Sequence, residues 1–372
     1  MKKLNKLALG SLSTLLLTTS LATAQTTVGG DMRLGLKATS SDAKHASNTV
    51  VTKETQINLT NAGNLNFGGG KYVAGFSVEF DGVEGNARSG SVSNFTAGTH
   101  FENNYINFIF GDTLLHFGND HLKPTSVNLT DIAGVPTPLF QSIALVGASG
   151  TTTTVGAASI ARQVLGGLEK GDGSRGFGFG IRQTFPGIGA FSAVYNPNAD
   201  GSNAMPDTGD VAYSHAEGGS DNSFHSIGFR GGFGIKGLDF HTGFNSLDSS
   251  NQGAGEKADQ DTLTFGVSYR VGNVVVALDK TQMDYNVTGS QYDVKGIAVG
   301  YLVNKDLTIQ ASYYRGTDST ATSRATEKIK GLTIAQSLGP VGLTVVGGTI
   351  ENSNGIALND GKMVHASLGL RF

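Results

Sequence analysis

His116, Asp120 and His121 form the one dense His/Asp group in the chain. Imidazole nitrogens and a carboxylate this close can ligate a divalent metal. The plainer reading is a polar loop root bathed in water, and no metal is expected. Gly147-Ala148-Ser149-Gly150 sets a serine between small residues, but no strand–turn–helix context makes it a nucleophile elbow. Asp200-Gly201-Ser202-Asn203 and the run Asp207 to Asp210 offer oxygen ligands for Ca²⁺, without the spacing of an EF-hand loop. No catalytic constellation is complete, so neither an enzyme nor a cofactor is expected.

The remaining candidates are charges, and they recur with period two. Asp31, Arg33 and Lys37 fall between Val28, Gly30, Met32, Leu34 and Leu36. That is a strand with one apolar and one wet face. Glu54 shares a parity with Gln56 and Asn58 against Ile57 and Leu59. Glu79 and Ser77 stand against Tyr72, Ala74, Phe76, Val78 and Phe80. Arg182, Arg230, Asp239, Arg270, Asp279 and Arg371 take the polar parity of later runs. Charges held this way do no bond chemistry. They impose a field on whatever lies along the wet face.

The elements that must carry them are antiparallel strands. Leu263, Phe265, Val267 and Tyr269 alternate with Thr264, Gly266, Ser268 and Arg270. Leu307, Ile309, Ala311 and Tyr313 alternate with Thr308, Gln310, Ser312 and Tyr314. Val271-Gly272-Asn273, Asn304-Lys305-Asp306 and Gly339-Pro340-Val341 read as tight turns, as does Phe67 to Lys71. Ser40 to Asn48, Asn196 to Asn222, Ser246 to Gln260 and Gly316 to Ala325 read as polar loops. Only 7 Pro in the chain suits long hydrogen-bond ladders. With 0 Cys, no disulfide framework is available, and stability rests on pairing and packing.

Both ends of the chain carry signals. Lys2, Lys3 and Lys6 precede an apolar run from Leu7 to Leu21 and the small-x-small site Ala22-Thr23-Ala24. This reads as a signal peptide over residues 1–24. Its removal takes the formal charge from −3 to −6, because it carries three lysines and no acid. No other segment approaches the roughly 18 apolar residues of a membrane helix. At the far end, Val364, Ala366, Leu368, Leu370 and Phe372 alternate with His365, Ser367, Gly369 and Arg371. A closed membrane barrel pairs its last strand with its first to remove the open edge. A soluble solenoid or sandwich needs neither a terminal Phe nor a rhythm of short and long connections.

The terminal Phe strand resembles those of bacterial outer-membrane β-barrels, where it also serves as the signal read by the insertion machinery. A narrower resemblance lies in Asn104 to Gly118, which is similar to the hairpin preceding the constriction loop of general Gram-negative porins. Gly176 to Phe185, Pro186 to Gly189 and Ala190 to Ser192 resemble the strand–turn–strand that follows it. The resemblance implies residues 25–372 as one all-β domain. That domain is a transmembrane antiparallel barrel of about 16 strands with short periplasmic turns and long extracellular loops. Its third loop, Asn119 to Gly173, would fold inward and narrow the pore. Two features depart from the family pattern. Asn119 stands where an Arg is frequent, and Val135-Pro136-Thr137-Pro138-Leu139-Phe140 replaces an acidic loop motif. Only Asp120 and Asp131 supply acids there up to Ala161.

The function so implied is passive diffusion of small hydrophilic solutes and ions through a water-filled channel. The alternatives are a channel selective for anions or an organic acid, and a non-conducting structural or adhesive barrel. Arg33, Lys37, Glu54, Glu79, Asp120, Asp131, Arg182, Arg230 and Arg270 are the expected pore-lining and constriction residues. Val364, Ala366, Leu368, Leu370 and Phe372 are expected to close the barrel and signal insertion. Expected partners are two further copies in a homotrimer, outer-membrane lipid and lipopolysaccharide, and the barrel-assembly machinery with periplasmic chaperones. Nucleic acid is not expected, since no basic cluster is interleaved with aromatics.

Overall fold

The computed structural model describes residues 24–41, 46–80, 100–118, 145–146, 152–153, 178–196, 222–249, 260–285, 290–318, 325–352 and 360–372. The first strands are β1 (Gln25–Ser41), β2 (Ala46–Asn64), β3 (Lys71–Glu79), β4 (His100–Phe110) and β5 (Thr113–Gly118). Two short pieces follow, β6 (Leu145–Val146) and β7 (Thr152–Thr153). The chain continues with β8 (Gly178–Phe185), β9 (Gly189–Asn196), β10 (Asn222–Gly231), β11 (Leu238–Ser249) and β12 (Gln260–Val271). Last come β13 (Val274–Tyr285), β14 (Ser290–Leu302), β15 (Leu307–Asp318), β16 (Glu327–Leu338), β17 (Val341–Glu351) and β18 (Gly361–Arg371). All but β6 and β7 form one closed barrel, each strand antiparallel to its chain neighbours. The barrel has sixteen strands, and its seam is β1 against β18.

The turns follow from local chemistry. Gly272 takes φ 58° and, with Asn273, joins Val271 to its partner Val274. That left-handed conformation is open to glycine at no steric cost. At one end of the barrel no connection exceeds six residues, and every connection of eight or more lies at the other, the outer-membrane arrangement. The seam needs a second glycine. Phe372 donates its amide to the Gly30 carbonyl at 3.0 Å, and the Gly30 amide donates to the Phe372 carbonyl at 2.8 Å. A Cβ on Gly30 would lie 2.7 Å from the Phe372 ring, so only a bare backbone admits it.

Burial along the strands is inside out. On β12, Leu263, Phe265 and Tyr269 are at least 40% exposed, while Thr262, Thr264 and Ser268 are at most 6% exposed. Side chains that point into a closed barrel are shielded by the opposite wall, and those that point away meet nothing of the chain. The bare face is therefore the outer one, and it is the apolar one. In water this arrangement forfeits apolar burial. In a bilayer it is the stable one.

The strands run further than the sequence reading: β11 extends through Ser246 to Ser249 and β15 through Gly316 to Asp318, both expected as loop. Ser40 to Asn48 is mostly strand, with Ser40 paired to Ser47 and Ser41 to Ala46. The alternation also reverses toward the end that bears the long connections. There the inner face buries Met283, Tyr292, Val294, Ile329, Ile350 and Met363. The outer face carries Lys280, Asp293, Lys295, Lys328, Lys330 and Glu351 instead of apolar side chains. A strand that rises out of hydrocarbon no longer needs an apolar outer face.

Candidate pore wall

The inner face holds polar side chains in cross-strand rows. The Thr281 hydroxyl donates to that of Thr264 at 3.2 Å, and the Ser77 hydroxyl donates to Asn58 at 2.5 Å. His116 is fully buried on the same face. Its Nδ1 lies 2.6 Å from Asn107 Oδ1, and its ring stacks on Tyr105 at 6.2 Å between centroids. Asp120 and His121, which would complete a metal group with it, lie outside the described residues. So do Asp131, Ser149 and the acidic stretch around Asp207.

The predicted wall charges occupy distinct places. Arg33 stands in register between Glu54 on β2 and Gly369 on β18. Asp31 stands between Gln56 and Arg371, and Lys37 between Val50 and His365. Arg182 lies opposite Leu114 on β5 and Ser192 on β9. Leu114 and Ser192 are both buried, which puts the guanidinium on the shielded face beside them. Glu79 pairs with Gln56 across β2 and β3, in the same row as Asp31. The side chains of Glu54 and Glu79 lie outside the described residues.

Two arginines sit at the rim of the tight turns. Arg270 donates from Nε to the Gly272 carbonyl at 3.2 Å. Arg230 donates to Asp239 from Nε at 3.1 and 3.2 Å, and from Nη2 at 2.7 Å. Both members of that pair are about one-third exposed, at 32% and 34%. An ion pair this wet contributes about 1 kcal/mol or less. Its effect is electrostatic, since Asp239 neutralises a cation at the mouth.

Other wall groups are harder to read from sequence. Asp279 on β13, Gly296 on β14 and Tyr314 on β15 lie in one row. A Cβ on Gly296 would sit 2.6 Å from Asp279 Oδ1, so the glycine makes room for the carboxylate and the phenol beside it. Polar parity marks Asp279 and Tyr314 separately, but their meeting depends on two successive registers. His241, fully buried opposite Arg230, carries no periodic signal of its own beyond that parity. Between Gly118 and Gly178 the described pieces are β6 and β7, which pair with each other, and β6 lies against β1 and β2.

The profile of the Gram-negative porin family matches residues 11–355. A comparison with curated proteins finds no match. Among solved structures, the chain is similar to an anion-selective porin from Comamonas acidovorans, with a TM-score of 0.63 at 14% identity. That alignment covers 94% of this chain and 100% of the other. OmpF of Salmonella typhi aligns with a TM-score of 0.63 at 12% identity, over 94% of this chain and 98% of that one. A loop-deletion mutant of OmpT from Vibrio cholerae gives 0.56 at 12% identity, over 94% and 99%. At such identities the likeness is one of fold, and the family rests on the sequence profile. The chain thus belongs to the Gram-negative porins, and it forms a water-filled channel of the bacterial outer membrane through which small hydrophilic solutes diffuse passively.

Proposed function

We propose that the chain acts as a homotrimeric general porin with weak ion selectivity and no catalytic activity. The observation that carries this reading is the inside-out burial of a closed barrel with charges of both signs on its inner wall. Arg33, Lys37, Arg182, Arg230 and Arg270 supply positive lining, offset by Asp31, Asp239, Asp279 and the acids Glu54 and Glu79. Residues 119–173, with Asp120 and Asp131, form the constriction. The position of β6 beside β1 and β2, away from its roots at β5 and β8, supports a segment that crosses the lumen. Residues 1–24 are removed as a signal peptide. Periplasmic chaperones and the barrel-assembly machinery then receive the chain through the strand ending at Phe372. Lipid and lipopolysaccharide surround the finished barrel.

Single-channel recording in a planar bilayer under a salt gradient tests this. The expected permeability ratio between cations and anions is within about tenfold, equivalent to about 1.4 kcal/mol. Arg33→Ala removes one positive charge from the wall and is expected to move the reversal potential toward cations, with conductance retained. A barrel that gives no conductance steps would overturn the reading. So would a charge reversal at Arg33 that leaves the reversal potential of the folded channel unchanged.

A further inference from the structure

The first strand overruns the seam. Phe372 pairs with Gly30, so Gln25 to Gly29 extend past the last residue of the chain, at the end that bears the short connections. β2 holds this stretch on one side, with Gln25 opposite Ala62 and Gly29 opposite Asn58. Side-chain bonds begin at the second residue. Asn61 donates from Nδ2 to the Thr26 hydroxyl at 2.9 Å, and the Tyr72 hydroxyl donates to Asn61 Oδ1 at 2.7 Å. Gln25 itself is exposed, and its side chain makes no hydrogen bond among the described residues.

That residue stands where the chain is expected to be cut. Cleavage after Ala22-Thr23-Ala24 turns the backbone nitrogen of Gln25 into an α-amine. The amine and the carboxamide carbon of the same side chain are then the two ends of a five-membered ring. No opposite charge holds the amine away from it. The C-terminal carboxylate belongs to Phe372, opposite Gly30. It is five residues along β1 from Gln25, roughly 16 Å, well beyond the screening length of about 8 Å in physiological salt. The row that Gln25 begins continues through Ala62, Val73 and Asn107, with no acid in it. A fraction of such an amine is neutral, and therefore nucleophilic, at physiological pH.

We propose that Gln25 of the exported chain closes on itself to form pyroglutamate. The inference rests on the proposed removal of residues 1–24. The neutral α-nitrogen attacks Cδ of the Gln25 carboxamide. A bond forms between that nitrogen and Cδ, and the bond from Cδ to the side-chain nitrogen breaks. The side-chain nitrogen leaves as ammonia, carrying the proton that the amine sheds. Nothing is oxidised or reduced, and no co-reactant is needed. The lactam keeps one N–H and leaves the pairing of Thr26 with Asn61 untouched. The chain loses a positive charge at the periplasmic mouth, and with it the free amine that an aminopeptidase requires. The strand end that β18 leaves uncovered is thereby closed to trimming from its terminus.

Mass spectrometry and Edman degradation of the full chain purified from outer membranes test the step. Tryptic cleavage after Arg33 releases the peptide from Gln25 to Arg33, which contains no other side-chain amide. That peptide is expected to be lighter by one ammonia than its sequence requires. The undigested chain is expected to yield no residue in Edman cycles, which shows that the ring formed before digestion. Gln25→Asn keeps a carboxamide, but its closure would need a four-membered lactam. This variant is expected to be cut at the same place and to fold, as judged by its heat-dependent shift on electrophoresis. It should keep its ammonia and give a full Edman signal. A wild-type chain that begins at Gln25 with a free amine would overturn the proposal and leave the cleavage reading standing. Loss of ammonia from the N-terminal peptide of Gln25→Asn would overturn it too. A chain that begins at any other residue would overturn the cleavage reading, and the proposal with it.

Discussion

Single side chains act here through charge and clearance. Asp239 holds Arg230 at the mouth of the pore. Asp239→Asn removes one negative charge and keeps the shape of the side chain. The pair is part-exposed, so the expected stability loss is about 1 kcal/mol or less. The reversal potential is expected to move toward anions, opposite in sign to Arg33→Ala, and recordings under one salt gradient check both. Gly30 works by clearance. Gly30→Val would press a side chain onto the Phe372 ring, 2.7 Å from where its Cβ stands, and onto the Gln56 carbonyl at 2.7 Å. Overpacking of this kind costs about 1–3 kcal/mol. A smaller fraction of protein resisting unfolding in cold detergent, measured by band shift, is the expected outcome.

Strands rather than residues decide whether the barrel closes. Met32, Leu34, Leu36 and Ala38 meet Leu370, Leu368, Ala366 and Val364 across the seam. Deletion of Phe372 removes two backbone hydrogen bonds to Gly30 and the ring above it. Reduced abundance in the outer-membrane fraction and more periplasmic degradation are expected by quantitative blotting. This level of organisation was largely legible from sequence. Alternation in Val28 to Lys37 and Leu263 to Arg270 identifies strands because a bilayer on one side and water on the other impose period two. The signal fails where the bilayer ends. Ser40 to Asn48 reads as a loop because it is a polar run without alternation, yet Ser40 still pairs with Ser47. Lys280, Lys295 and Lys330 carry no such signal for the same reason, since outward cations contradict the rule that holds lower on the same strands. The Asp279–Gly296–Tyr314 row was not legible at all, because it exists only once three strands are in register.

For the whole molecule, the proposed trimer gives a direct expectation. Electrophoresis in mild detergent without heating should show a band near three protomers, and heating should collapse it to one. A single protomer by native mass measurement would count against the assembly. The seam carries a further consequence, which concerns time. Asp31 finds Arg371, and Gly30 finds Phe372, only after every intervening strand is placed. Contacts this distant in sequence form slowly. Until they form, β1 and β18 are open edges, and an open edge accepts a strand from any neighbouring chain. Closure is first order in protein, whereas capture of another chain is second order. The yield of closed barrel on refolding therefore falls as protein concentration rises, even though the finished ring has no edge left to offer.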